Sequence, residues 1–149
     1  MSHKKKDRLD TLRVLIGGRS CLCNSSRLTD IYGEINRIAT SDQVPRHNGS
    51  LLAVLYTTRT LDTLLSEIVR CKGWTAHTAN LNGYLVALHN NGIVLSSEKR
   101  GYDLELVHVR NRYMHEAGAM LRSIDANKIL NKMHACVVTI ISAFNKNRW

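Results

Sequence analysis

Arg110, Asn111, Arg112, Tyr113, Met114 and His115 bring phosphate-binding and proton-moving groups into one short stretch. An arginine is a permanent planar cation whose N–H donors match phosphate oxygens. A histidine takes or gives a proton near neutral pH. Four residues separate Arg110 from His115, and an asparagine follows the arginine directly. Such a set can cleave RNA without a metal: one group stabilises charge on phosphorus while another moves the proton.

Helical spacing predicts how these groups are presented. Tyr102, Leu106, Val109, Tyr113 and Ala117 mark the inward stripe of a helix that opens around Ser97. At about 100° per residue, His108, Asn111 and His115 fall within roughly 60° of one another on the opposite side. Arg110 lies on the flank, about 140° from His115. The two therefore do not meet by simple stacking along a regular helix. Either Arg110 reaches around, the helix loosens near His115, or the pair works across a subunit boundary. A plainer account makes Arg110 and Arg112 solvated charges, with Arg112 paired to Glu116 for only about 0.3–0.5 kcal/mol.

Other chemistries find less support in the spacing. His108 and His115 are about 10 Å apart along a helix, too far to share one metal ion. His77, His89 and His134 have no ligand-spaced partner, and His134, beside Met133, reads as an interfacial helix residue. Cys21-Leu22-Cys23 is too tight for a C-x2-C zinc knuckle and has no second pair. Gly17-Gly18 is not followed by the Lys-Ser/Thr of a phosphate-cradling loop. No metal and no cofactor is expected.

The elements that must carry the motif are helices. Leu9, Leu12 and Ile16 form a first stripe that ends at Gly17-Gly18. Leu28, Ile31, Ile35 and Ile38 form a second, and Leu51, Leu55, Leu61, Leu65 and Ile68 a longer third that stops at Lys72-Gly73. Leu81, Leu85 and Leu88 give a short helix closed by Asn90-Asn91-Gly92. After the motif, Ala126, Leu130, Met133, Val137, Ile140 and Phe144 step by alternating fours and threes, the cleanest amphipathic pattern in the chain. No sustained period-two alternation occurs. The fold class is all-α, an antiparallel bundle of about five or six helices. Segments 17–26 and 40–50 concentrate Gly, Ser, Asn and the lone proline and read as flexible loops.

With 149 residues, the chain reads as a single helical domain over 1–149. The net charge of +9, from 21 Lys and Arg against 12 Asp and Glu, points to a polyanionic partner. No apolar run is long enough to span a membrane, and the basic start His3-Lys4-Lys5-Lys6 leads into no apolar signal segment. The expected location is the cytoplasm, with the four cysteines reduced and with Cys71 and Cys136 as inert core residues.

The Arg110-Asn111…His115 pattern resembles the R-x4-6-H signature of the HEPN superfamily, in which an arginine followed by a polar residue precedes a histidine. The likeness covers the motif helix and closing helix, roughly the last 50 residues, while the N-terminal 75 match only as generic helices. It implies a metal-independent endoribonuclease in which the RNA 2′-OH attacks the adjacent phosphate to leave a 2′,3′-cyclic phosphate. Arg110, Asn111 and His115 would be catalytic: His115 moves the proton, Arg110 stabilises the phosphorane, and Asn111 orients His115 or binds phosphate. Arg112, His108, Lys4, Lys5 and Lys6 are the expected RNA-binding residues. The resemblance further implies a homodimer with a composite site, a toxin or phage-defence role, and an antitoxin or defence-complex protein as partner. Members controlled by modification of a tyrosine two residues beyond the histidine have no counterpart here, where that position is Ala117. The rival function is a non-catalytic helical module that binds nucleic acid or a protein partner. A helical DNA-binding regulator ranks below both, because no helix-turn-helix spacing is convincing.

Overall fold

Apolar residues spaced by three and four can all be buried at once only when the chain coils into helices that share their stripes. The computed structural model describes residues 3–17, 27–43, 46–115 and 123–147, with the side chains at 46–48, 114–115, 123–125 and 144–147 outside that description. Helix α1 spans His3–Gly17 and α2 spans Arg27–Thr40, followed by a 3-10 turn at Ser41–Gln43. Helix α3 spans Arg46–Lys72 and α4 spans Leu81–Asn90. Helix α5, Ser96–Tyr102, runs through a π-helical turn at Asp103–Val107 into α6, His108–His115. Helix α7, Ser123–Asn147, closes the order. No strand occurs among the described residues, so the protein is an all-α bundle.

Helix α3 is the centre of the packing. It touches α2, α4, α6 and α7, while α1 packs on both α2 and α7. Leu9, Leu12 and Ile16 meet Ile31, Ile35 and Ile38 in the core, together with Leu61, Leu64, Leu65 and Ile68 of α3. Leu130, Met133, Val137 and Ile140 fill it from α7. Each side chain of this kind contributes about 1.5–3 kcal/mol when fully buried. Among the described residues, no helix is long and apolar enough to cross a membrane.

Two helix ends are set by glycines in left-handed backbone. Gly73 has φ +70°, with its N–H donating to Arg70 O and Trp74 N–H donating to Val69 O. Gly92 repeats the arrangement at φ +77°, with its own N–H donating to His89 O and Ile93 N–H to Leu88 O. This pairing satisfies carbonyls that the helix leaves open, and a side chain at either glycine would be strained.

Three expectations are corrected. The described part of segment 40–50 is not a loop: residues Ser41–Gln43 form the 3-10 turn, and α3 starts at Arg46. Buried Ser41 donates to Ile38 O at 2.7 Å and accepts from Lys5 Nζ at 3.2 Å, which holds the turn on the bundle. The first part of the long helix is also differently phased, with Val54 fully buried while Leu51 and Leu55 are half-buried. Finally, Cys71 is exposed and disulfide-bonded rather than a reduced core thiol, which removes the cysteine argument for a cytoplasmic location. Cys136 is buried and free as expected, and burial pushes its thiol pKa well up. Cys21, Cys23, Ala117 and the segment 18–26 lie outside the described residues, as does the Phe144 side chain.

Candidate functional site

The motif rides on α6, and the turn before it is not α-helical. His108 N–H donates to Asp103 O, five residues back, which makes one wide turn in an otherwise continuous helix. The helix therefore loosens just before Arg110, while α6 itself stays α-helical to His115. Side chains anchor the wide turn. Lys99 Nζ donates to Asp103 at 2.6 Å, and Lys132 of α7 reaches Glu105 at 3.2 Å while lying 5.8 Å from the centre of the Tyr102 ring. Tyr102 is buried and hydrogen-bonded to Thr139, and burial pushes its hydroxyl up to about 12.

Below the wide turn the inward stripe is as the spacing predicted. Tyr102 and Leu106 are buried, and Val109 and Tyr113 pack half-buried against the core. His108 and Asn111 are both exposed, so the polar outer face exists at these two positions. The backbone of His115 ends the same helix, and its side chain lies outside the description.

Arg110 has a different environment. It is half-buried and near Asp62 of α3, a half-buried acid that the sequence reading did not single out. Burial raises the Asp62 carboxyl above its usual range, and the Arg110 charge pulls it part of the way back. The influence of Arg110 on Asp62 is that of its charge, which opposes the effect of burial. No motif in the sequence marks Asp62. Its relation to Arg110 exists only once α6 is packed on α3.

Arg112 points to a third surroundings. About 200° around the helix from Arg110, it lines a groove of about 450 Å³ against α7, shared with Glu105, Tyr113 and Lys128. Its guanidinium lies 5.9 Å from the centre of the Tyr113 ring. The apolar floor of this groove is Val109 and Ile129, with Leu104 56% exposed at its edge. Arg110 and Arg112 thus lie on different sides of α6, and Arg112 is the arginine one helical turn from His115.

The N-terminal lysines do not behave as one patch. Lys5 is only 9% exposed, and its ammonium donates to Asp42 at 2.8 Å as well as to Ser41. It clamps α1 to the 3-10 turn. Lys4 and Lys6 are exposed. Among the described residues, no three His, Cys, Asp or Glu side chains cluster where a metal could sit.

No protein-family model, curated protein or solved structure matches the chain. The functional reading therefore rests on the residues themselves.

Proposed function

We propose that the chain is a metal-independent endoribonuclease of HEPN type, acting as a toxin or phage-defence effector. The observation that carries this reading is Arg110: a half-buried arginine whose charge acts on the half-buried Asp62, followed directly by an exposed Asn111. A partly buried arginine charge beside a polar outer face suits a phosphate whose negative charge grows in the transition state.

In the proposed reaction the RNA 2′-oxygen bonds to the adjacent phosphorus as the bond from phosphorus to the 5′-oxygen breaks. His115 removes the 2′-OH proton or returns one to the departing 5′-oxygen. Arg110 stabilises the charge that builds on the phosphorane oxygens, and Asn111 donates to phosphate or orients His115. Because Arg110 and His115 diverge on a regular α6, a homodimer joining the outer faces of two α6 helices supplies the complementary pair. Arg112, His108 and the exposed Lys4 and Lys6 would contact the RNA backbone. An antitoxin or defence-complex protein is the proposed regulatory partner, and the cytoplasm the proposed location.

The test is incubation of the purified protein with single-stranded RNA in excess EDTA, followed by analysis of the new ends. Cyclic 2′,3′-phosphate and 5′-OH ends are expected. Intact RNA, or cleavage that EDTA abolishes, refutes the assignment. The second reading, a non-catalytic module that binds nucleic acid or protein, draws on the same Asp62 contact taken as a structural charge pair. It predicts RNA or protein binding without any new ends.

A further inference from the structure

We propose that a cleft between α1 and α7, apart from the motif helix, binds a phosphate group. The cleft has a volume of about 270 Å³ and is lined by Lys4, Arg8, Asn127 and Asn131, with Lys5 and Leu130 beneath. It is a separate site. On α7, Lys128 and Ile129 face the groove beside Arg112, whereas Asn127, Leu130 and Asn131 face α1.

Lys4 and Arg8 are four residues apart on one face of α1, a spacing at which like charges destabilise a helix. Among the described residues neither has an acidic partner, unlike their neighbour Lys5, which meets Asp42. No acidic side chain among the described residues lines the cleft. The opposite wall repeats the spacing with amides: Asn127 and Asn131, also four apart, present N–H donors on a helix that is otherwise apolar on its inner side.

His134 lies one turn further along α7, outside the cleft lining. Its Nε2 is buried without a hydrogen-bond partner among the described residues, and burial together with the nearby Arg8 charge lowers its pKa. Lys4 also lies in the first turn of α1, where aligned peptide dipoles add positive potential. Two cations, two amides and a helix end around one small cleft suit an oxyanion. The volume admits a phosphate with its sugar and excludes a folded nucleic acid.

The phosphate can come from two sources, a phosphodiester of single-stranded RNA or the monoester of a mononucleotide. The RNA source rests on the ribonuclease reading; the mononucleotide source does not. Calorimetric titration of the full chain with inorganic phosphate, with AMP, and with a short RNA lacking terminal phosphates separates them. Saturable binding by AMP assigns a monoester, and by the RNA alone a phosphodiester; both support the site. Lys4→Gln, Arg8→Gln and Asn131→Ala are each expected to weaken that binding, roughly tenfold for the charged residues. Lys4 and Asn131 are exposed, so these two variants test the cleft even if Arg8→Gln fails to fold. Arg100→Gln, an equal charge change on exposed α5, should leave affinity little altered. Failure of all three probes to saturate overturns the proposal, as does equal weakening by Arg100→Gln. Because binding rather than cleavage is read, an inactive motif would not mimic either failure.

Discussion

Arg110 of α6 lowers the pKa of the Asp62 carboxyl of α3 through its charge, with burial the larger and opposing influence on that carboxyl. The motif arginine therefore acts toward the central helix, while its neighbours Asn111 and His108 stay on the exposed face. A phosphate entering between α3 and α6 would meet a cation already in place, and Asp62 would set how firmly it is held.

Asp62→Asn tests that balance through pH. Because the folded carboxyl titrates above its unfolded value, the folded state binds the proton more tightly. The contribution of Asp62 to stability is thus most favourable at low pH and declines as pH rises through the unfolded and then the folded pKa. The asparagine variant lacks this decline. Its stability relative to the parent should improve across the carboxylate range and level off above it, measured by denaturant unfolding at a series of pH values. A variant that loses ground as pH rises would mean that the attraction to Arg110 outweighs burial.

The Lys5–Asp42 pair yields a second expectation. Asp42→Asn removes the carboxylate that the Lys5 ammonium meets at 2.8 Å, so stability should fall by about 1–2 kcal/mol, moderated by the partial exposure of Asp42. Lys5→Met removes the charge along with its need for a partner and should cost less. Urea midpoints of the two variants decide the order. Equal losses would show that the pair contributes to folding chiefly through its charge attraction.

Much of the fold was legible because burial imposes a period. The stripes of α1, α2 and α7 name core residues directly: Leu9, Ile31, Ile35, Met133 and Val137 are all buried where spacing put them. The wide turn at Asp103–Val107 left no such trace, since Tyr102, Leu106 and Val109 keep an acceptable stripe on either kind of turn. Asp62 and Arg8 were invisible for another reason: each acquires its meaning from a residue on a helix distant in sequence. Lys5 read as part of a basic run, yet helical geometry sends it inward while Lys4 and Lys6 remain in solvent. Composition reports charge, but only packing decides which charges face a ligand.

Two glycines with opposite roles give a third prediction. Gly33 lies within α2 with open space where a Cβ would stand, so Gly33→Ala should stabilise by about 0.5–1 kcal/mol. Gly92 has φ +77°, so Gly92→Ala should destabilise by about 1–2 kcal/mol. Thermal melts of both variants suffice. A stable Gly92→Ala would show that the turn after α4 can close without left-handed backbone.

The last prediction concerns catalysis. Arg110→Ala should lower RNA cleavage by about a hundredfold or more, the usual loss when a preorganised donor to the transition state is removed. Arg110→Lys should recover only part of it, because an ammonium keeps the charge and loses the planar pair of donors. His115→Ala should abolish cleavage by removing the proton carrier. His108→Ala is the informative comparison: it shares the exposed face with Asn111 yet lies before the motif, so it should weaken RNA binding more than it slows the cleavage step. If two α6 helices join in a dimer, mixing Arg110→Ala with His115→Ala protein should restore some cleavage, since each mixed pair retains one intact half of each function. Single-turnover rates of the four variants and the mixture measure all of this. Cleavage unchanged in His115→Ala would remove the proton-transfer role, and a mixture no more active than its parts would leave each motif working within its own chain.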